Sequence, residues 1–303
     1  MKGFILKSIA GDFHVLSKQD NQIYICKARG QIRNKNQNMN LICGDIVDFE
    51  YDKEHDYSWI VNVYPRKNKL VRPLIANVDI ALIVMSTIKP DFDSYLVDKL
   101  IVAASLENIE PILVVSKCEF MNDEIKSLID NYKQAGYQVI EVSSHQKINL
   151  DKVSTSIKNK KVVLAGQSAS GKSSLINALL NDNTRLIGDF SEKLGRGKHQ
   201  TREVEYVYIN GAYVADSPGF SRLDIKVDLP IFARVFKDFN KIAADCRFDN
   251  CLHKDEPDCA IKKAVENGII DIRRYNNYLH LMSEIKDGKH VWVKKWFELL
   301  LLC

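Results

Sequence analysis

The stretch KKVVLAGQSASGKSSLIN, from Lys160 to Asn177, decides the fold of this chain. An apolar run that predicts a buried strand leads into the spacing Gly-x4-Gly-Lys-Ser, and residues with helical spacing follow. Glycines at this turn let backbone N–H groups and the start of the helix approach a phosphate closely. The stretch therefore predicts a nucleoside triphosphate site, formed by Gly166, Gln167, Ser168, Ala169, Ser170, Gly171, Lys172, Ser173 and Ser174.

The residues expected to act on the phosphates lie in this loop and downstream of it. Lys172 is placed to contact the β- and γ-phosphates, and Ser173 to bind Mg²⁺. After the strand AYVA, the pattern Asp216-x-x-Gly219 would supply a carboxylate close to Mg²⁺ and a backbone amide for the γ-phosphate. The basic, glycine-rich segment GRGKHQTRE between them suits a mobile loop whose Thr201 closes over Mg²⁺, and its composition equally fits an ordinary surface loop.

A second polar signature lies upstream of the phosphate loop. The apolar run ILVV ends in Ser116, Lys117, Cys118 and Glu119, and the strand YQVIEV ends in Ser143 and Ser144. A carboxylate at position 119 can accept hydrogen bonds from the N1–H and the exocyclic amine of guanine, whereas adenine presents an acceptor at the first of these positions. Ligand contacts lie at the carboxyl ends of parallel strands, so cutting and rejoining the chain at another loop leaves such a site intact. We therefore expect a guanine-binding site in a chain whose order has been permuted.

Changes in sequence pattern divide the chain into three parts. Up to about residue 68, short alternating segments separated by turn formers predict a small β-barrel or sandwich. The segment PRKNKLVRP, from Pro65 to Pro73, has the composition of a linker. Over 69–230, near-continuous apolar runs alternate with helical segments, which predicts a parallel α/β sheet. The last part, 231–303, is helical in pattern and carries closely spaced cysteines.

The composition of the 303 residues, with a net charge of +4 and 46% hydrophobic residues, is that of a globular protein. The chain has seven cysteines, an odd number, and three of them (Cys246, Cys251 and Cys259) lie in one short segment. This is not a disulfide framework, and it favours a reducing compartment and metal binding. The first apolar run is too short for a signal peptide, and no run approaches the roughly 18 residues of a membrane span. We therefore expect a cytoplasmic protein without a membrane partner.

The cysteine-bearing segment has the ligand spacing of a metal site. Cys246, Cys251, His253 and Cys259 give Cys-x4-Cys-x-His-x5-Cys. Three thiolates and one imidazole are typical of closed, tetrahedral Zn²⁺ sites of the structural kind. The alternative, buried thiols without a metal, is disfavoured because the adjacent KDEPD is polar and should offer no core. The spacing predicts one structural zinc ion per chain.

Together with LGRGKHQTR, DSPGFSRL and CRFDNCLHKDEPDCAIKKAVENGIIDIRRYNNYL, these motifs resemble the circularly permuted, ribosome small-subunit-dependent GTPase A family (RsgA) over nearly the whole chain. The resemblance implies a multidomain α/β protein with an OB-fold barrel over 1–68, a permuted P-loop GTPase domain over 69–230 and a helical zinc-binding domain over 231–303. It also implies a monomer that hydrolyses GTP to GDP with Mg²⁺, is stimulated by the 30S ribosomal subunit and acts in late maturation of that subunit. Arg29, Arg33 and Lys35 would contact 16S rRNA, although a solvated basic loop is the commoner explanation for such residues.

The chain departs from the family pattern within the nucleotide site. Ser116 stands where Asn is usual, Glu119 where Asp is usual, and Ala169 and Ser170 where Gly and Val are usual. Glu119 keeps the carboxylate that guanine requires, on a side chain longer by one methylene. We expect guanine preference to persist.

The catalytic water lacks its usual partner in this sequence. Phe220 follows Gly219 where many GTPases place a Gln that orients the attacking water, and Phe cannot hydrogen-bond water. His199 is the candidate for this role by resemblance, and contact with RNA or a neighbouring loop is the alternative. Two functions therefore stay open: a subunit-stimulated GTPase, and a nucleotide-gated rRNA-binding module with vestigial hydrolysis.

Overall fold

Five strands at the amino-terminal end close into a barrel in the order β1-β2-β3-β5-β4, which is the OB-fold arrangement. They are β1 (Lys2–Ile9), β2 (Asp12–Ser17), β3 (Ile23–Ala28), β4 (Ile46–Asp52) and β5 (Tyr57–Val63). The structure is a computed structural model that describes residues 1–28, 40–52, 57–71, 73–181, 204–215 and 225–287. Alternate side chains fill the barrel, among them the fully buried Ile5, Val15, Phe49 and Ile60.

The last part of the segment expected to be a linker belongs to a hairpin. Strands β6 (Lys69–Val71) and β7 (Leu74–Ala76) pair with each other, and Leu70 and Ile75 are buried in the main core. Gly44 of the barrel lies so close to this hairpin that an added Cβ would stand 2.0 Å from the carbonyl oxygen of Ala76. The linker prediction was wrong for the last part of the segment, because Leu70 is buried in the core and its strand pairs with β7 just beyond Pro73.

A six-stranded sheet in the order β10-β9-β8-β11-β13-β12 forms the middle of the molecule. Its strands are β8 (Ile80–Ser86), β9 (Glu110–Ser116), β10 (Gln138–Glu141), β11 (Lys161–Ala165), β12 (Tyr206–Ile209) and β13 (Ala212–Ala215). All neighbours are parallel except β12 and β13. After β10 the chain returns to the centre of the sheet, so β8 and β11 flank the point where the strand order reverses, which is where such sheets bind ligands.

Helices cover both faces of this sheet. They are α1 (Ser94–Leu106), α2 (Asp123–Gln134), α3 (Leu150–Ile157) and α4 (Lys172–Asn181). Along β8, Ala81, Ile83 and Met85 pack in the cluster that includes α1 and α2, whereas alternate residues pack in the cluster that includes α3 and α4. Burial on both faces explains why this strand is apolar without interruption.

Within its described residues, the carboxyl-terminal part adds four α-helices to the face that carries α1. They are α5 (Leu229–Phe232), α6 (Lys237–Ile242), α7 (Ala260–Glu266) and α8 (Ile272–Lys286). Tyr278 of α8 is fully buried and stacks on Phe232, with ring centroids 5.0 Å apart. One continuous cluster of buried side chains includes residues of the barrel, the sheet, α1 and these helices. Among the helices that the structure describes, none is long and apolar enough to cross a membrane.

Candidate functional site

The phosphate loop joins β11 to α4 and touches two neighbouring strands. Gly166 has a φ of +127°, and an added Cβ would stand 2.1 Å from the carbonyl oxygen of Val84 in β8. At Gly171, with a φ of +95°, an added Cβ would stand 3.1 Å from Oγ of Ser116 in β9. Both positions therefore require glycine, and the loop is fixed against the sheet before any ligand binds.

Lys172 begins α4 and folds back over the loop. Its Nζ donates to the carbonyl oxygen of Gly166 at 3.0 Å and also to that of Gln167. Ser173 follows in the first turn of the helix with its side chain exposed. The ammonium group of Lys172, the N-terminus of α4 and the exposed rim of the phosphate loop lie together here. This arrangement is suitable for binding a chain of phosphates.

The upstream signature lies beside this loop. Ser116 ends β9, is 3% exposed and donates from Oγ to the carbonyl oxygen of Ser170 at 2.6 Å. Lys117 has a left-handed backbone, and its Nζ donates to the carbonyl oxygens of Ile88 at 2.8 Å and Lys89 at 2.6 Å. The structure thus brings together two segments that are 54 residues apart in the chain.

Glu119 and the pair Ser143–Ser144 complete one side of the site. The backbone N–H of Cys118 donates to the carbonyl oxygen of Val142 at 3.0 Å, which ties the loops after β9 and β10 to each other. Within the described chain, Oε2 of Glu119 is buried and has no hydrogen-bond partner. A buried carboxylate oxygen without a donor has a large unmet demand for one, which the two adjacent donors of guanine would satisfy.

The thiol of Cys118 belongs to the same segment as Glu119, the loop after β9. Burial, and then the negative charges of Glu119 and Glu141, raise the pKa of this thiol above its ordinary value. It is therefore neutral at physiological pH and adds no negative charge near the phosphates.

Several predicted residues lie outside the described residues, namely Arg29, Arg33, Lys35, His199, Thr201, Asp216, Gly219 and Phe220. The strand that precedes three of them, Asp216, Gly219 and Phe220, is described. Ala215, the last residue of β13, pairs in parallel register with Val163 of β11. The chain therefore runs towards the edge that carries the phosphate loop immediately before Asp216.

Sequence reasoning missed the loop after β8, which contacts both residues 116–119 and the phosphate loop. Thr87 donates from Oγ1 to the carbonyl oxygen of Lys117 at 2.7 Å, and Asp93 accepts from Nε2 of Gln167 at 3.4 Å. Neither residue belongs to a motif. The available signal was their position after a buried parallel strand, where contacts to a ligand site are expected.

The cysteine-bearing segment forms a compact cluster at the start of α7. The ligand atoms of Cys246, Cys251, His253 and Cys259 all lie within 4.8 Å of one another. Nδ1 of His253 lies 3.6 Å from Sγ of Cys246 and 3.4 Å from Sγ of Cys259. Burial lowers the pKa of His253, which keeps the imidazole neutral, as a metal ligand must be. The cluster can hold a metal ion.

The expectation that this loop offers no core was wrong. Cys251, His253 and Cys259 are 5%, 1% and 2% exposed, and the two thiols belong to the main apolar cluster. Tyr275 and Tyr278 of α8 donate from their hydroxyls to the carbonyl oxygens of His253 at 2.7 Å and Leu252 at 2.6 Å. The polar residues face outwards while the ligands face helix α8, so the polarity of the loop is no argument against buried thiols without a metal. The convergence of four ligand atoms is the observation that favours a metal site.

Comparisons with known proteins agree on one family. The family described as RsgA GTPase matches residues 63–226, and the RsgA N-terminal domain matches residues 2–60. The small ribosomal subunit biogenesis GTPase RsgA of Caldanaerobacter subterraneus subsp. tengcongensis is 40% identical over 95% of this chain and 96% of its own. The protein of the same name from a Geobacillus species is 40% identical over 95% and 98% of the two chains.

Solved structures give the same result. YloQ, a circularly permuted GTPase, superposes with a TM-score of 0.81 at 32% identity, covering 96% of each chain. YjeQ from Thermotoga maritima superposes with a TM-score of 0.78 at 28% identity, covering 94% of this chain and 98% of its own. The permuted strand order inferred from the sequence is confirmed.

Proposed function

Because this chain belongs to the RsgA family of circularly permuted GTPases, we propose that it hydrolyses GTP in the biogenesis of the small ribosomal subunit. The observation that carries this proposal is the meeting of the base-side element 116–119 with the phosphate loop at one edge of the sheet. Guanine and triphosphate would bind there together, although their elements occur in reversed order along the chain.

The roles within the site follow from the geometry of the loop. Lys172 would turn from the loop carbonyls to the β- and γ-phosphates, and loop N–H groups with the start of α4 would bind the remaining oxygens. Ser173 and Thr201 would hold Mg²⁺, which neutralises charge on the phosphate oxygens when it is bound. Asp216 and Gly219 would act behind the metal and at the γ-phosphate.

Hydrolysis needs a group that positions the attacking water, and Phe220 cannot supply it. We assign this role to His199 and expect slow turnover by the protein alone. Binding to the 30S subunit would fix the loop that carries His199 and so stimulate hydrolysis. The cluster of Cys246, Cys251, His253 and Cys259 would hold one structural zinc ion, because three thiolates and an imidazole leave no open position.

The partner is the small ribosomal subunit with its 16S rRNA, bound by a cytoplasmic monomer. Supporting this are the names of the relatives and the basic residues Arg29, Arg33 and Lys35 in the OB-fold barrel, a fold that binds nucleic acid with its loops and strand faces. The mild net charge of +4 suits a protein that binds RNA at defined places and does not coat it.

Multiple-turnover phosphate release with purified 30S subunits tests the proposal. GTP hydrolysis should rise severalfold or more on addition of subunits, and Lys172→Ala should abolish it. Lys160→Ala is the matched control and should behave as the unchanged protein, because Lys160 is exposed and lies just before β11, at the end of that strand away from the phosphate loop. GTP-dependent subunit binding without any turnover would instead favour a nucleotide-gated rRNA-binding module. The absence of GTP binding would refute both.

A further inference from the structure

Three departures from the family pattern meet at one point in the structure. Ser116, in the place of Asn, donates its hydroxyl hydrogen to the carbonyl oxygen of Ser170, and Ser170 together with Ala169 replaces the usual Gly-Val pair. The contact is short, at 2.6 Å, and both serines are buried, at 3% and 0% exposure. Ser116 therefore contacts the phosphate loop where the other two departures lie, and it does so through a backbone carbonyl.

The rim of the phosphate loop at this contact has a demanding geometry. Ala169 has a φ of +62°, a left-handed conformation that disfavours residues with a Cβ. The carbonyl groups of Ala169 and of the residue that follows it are both held: that of Ser170 by Ser116, and that of Ala169 by Nζ of Lys117 at 3.5 Å. Such backbone geometry persists where the surroundings determine it. Here the base-side element supplies that support.

The same hydrogen bond restricts what Ser116 can do for the base. A serine hydroxyl has a single hydrogen to donate. Once this hydrogen is bound to the Ser170 carbonyl, Oγ presents only lone pairs, and the guanine atoms N7 and O6 are also acceptors. Oγ of Ser116 is therefore unable to read these atoms, and recognition of the base is left to Glu119 and backbone groups.

We propose that Ser116 is a positioning residue that holds the rim of the phosphate loop, and that it does not read the base. This inference rests on the proposed nucleotide site and deepens it. Ser116 would favour binding of the phosphates by keeping Ala169 and Ser170 in their bound geometry before a nucleotide arrives. The affinity of every nucleotide would rise by the same factor, whatever its base.

The test compares the dissociation constants of three nucleotides for the unchanged protein, Ser116→Ala and Ser116→Thr. The nucleotides are GTP, 7-deaza-GTP, which lacks N7, and 2-aminopurine riboside triphosphate, which lacks O6. Ser116→Ala should weaken all three by a common factor of about five, the value of one buried hydrogen bond. Ser116→Thr, which keeps the hydroxyl, should restore binding.

A loss that is absent or clearly smaller for 7-deaza-GTP, or for 2-aminopurine riboside triphosphate, would show that Ser116 reads N7 or O6 and would overturn the inference, as would unchanged binding by Ser116→Ala. The inference would also be overturned if Ser116→Thr failed to restore binding and both variants, without nucleotide, melted at a lower temperature than the unchanged protein. Ser116 would then contribute only to general packing. If the unchanged protein binds GTP while these ratios differ from expectation, only this inference fails. If it binds no GTP at all, the proposed function fails.

Discussion

Glu119 is the residue whose chemistry decides which nucleotide this site accepts. Its Oε2 is buried and lacks a hydrogen-bond partner among the described residues, so a ligand with two adjacent donors would gain from it and adenine would not. Glu119→Ala should therefore reduce the preference for GTP over ATP by about tenfold or more, which is the scale of a bidentate base contact. Competition binding with both nucleotides measures this ratio.

The matched control is Glu124→Ala, an exposed carboxylate in the first turn of α2, which should leave the ratio unchanged. Equal affinity of the unmutated protein for GTP and ATP would contradict the assignment of Glu119.

At this scale the sequence predicted that residues 116–119 and the phosphate loop lie at one edge of the sheet, because glycine spacing and a polar signature after an apolar run carry direct physical meaning. The site residues outside the described ranges stay predictions. It did not predict their partners. Nothing in the local sequence says that Lys117 will bind the carbonyls of Ile88 and Lys89, or that Ser116 will bind Ser170. These contacts join segments distant in the chain, and they are set by strand order and register.

Between elements, the contact of α8 with α1 depends on one buried arginine. Arg274 is 2% exposed; its Nε lies 3.5 Å from Oδ1 of Asp98, and its guanidinium also donates to Asp238. Asn277 donates to the other oxygen of Asp98 at 2.7 Å. Burial raises the pKa of Asp98 to about 6, and the charge of Arg274 opposes that rise.

Arg274→Ala should lower the free energy of unfolding by about 3–5 kcal/mol, since it leaves Asp98 buried without its counter-ion. The penalty should be larger at pH 8 than at pH 5. The pKa of Asp98 is higher in the folded than in the unfolded state, so stability is retained at low pH and is lost as the pH rises through the folded value. Urea unfolding at the two pH values measures this difference.

The neighbouring Arg273 provides the control. It pairs with Asp271 near the surface, and Arg273→Ala should cost about 1 kcal/mol or less at either pH. Equal penalties for the two variants would show that the buried ion pair does not hold α8 against α1.

Element positions were predictable where the pattern was strong, as in β8 and α2. The β6–β7 hairpin was not, because its core contacts come from the barrel and the sheet. The polar residues at and before its start, Arg66 to Lys69, made this stretch resemble a linker.

Across the whole molecule, the metal cluster and the nucleotide-binding sheet share one apolar core. Cys251, Cys259 and Tyr278 belong to the same buried cluster as Val97 and Leu100 of α1. Zinc binding by the purified chain, at about one ion per molecule, should therefore stabilise the sheet as well as the carboxyl-terminal helices. Cys251→Ser should remove the metal and lower the thermal midpoint of the main transition.

Cys118→Ser, a thiol outside the cluster, should retain the full metal content and serves as the control. Metal analysis and calorimetry of the two variants make the comparison. A purified protein without zinc, or a Cys251→Ser variant with unchanged melting, would contradict the shared stabilisation.

The permuted order of the sheet also has a consequence for synthesis of the chain. Strands β8, β9 and β10 leave the ribosome before β11, which pairs with the other side of β8. Roughly 80 residues separate the ends of β8 and β11. At a synthesis rate of about 5–20 residues per second, the edge of β8 therefore stays unpaired for about 4–16 s. An apolar strand with an unpaired edge readily pairs with another chain. The stretch that closes this edge is the one that carries the phosphate loop, so the nascent protein passes its period of greatest exposure before it can bind a nucleotide.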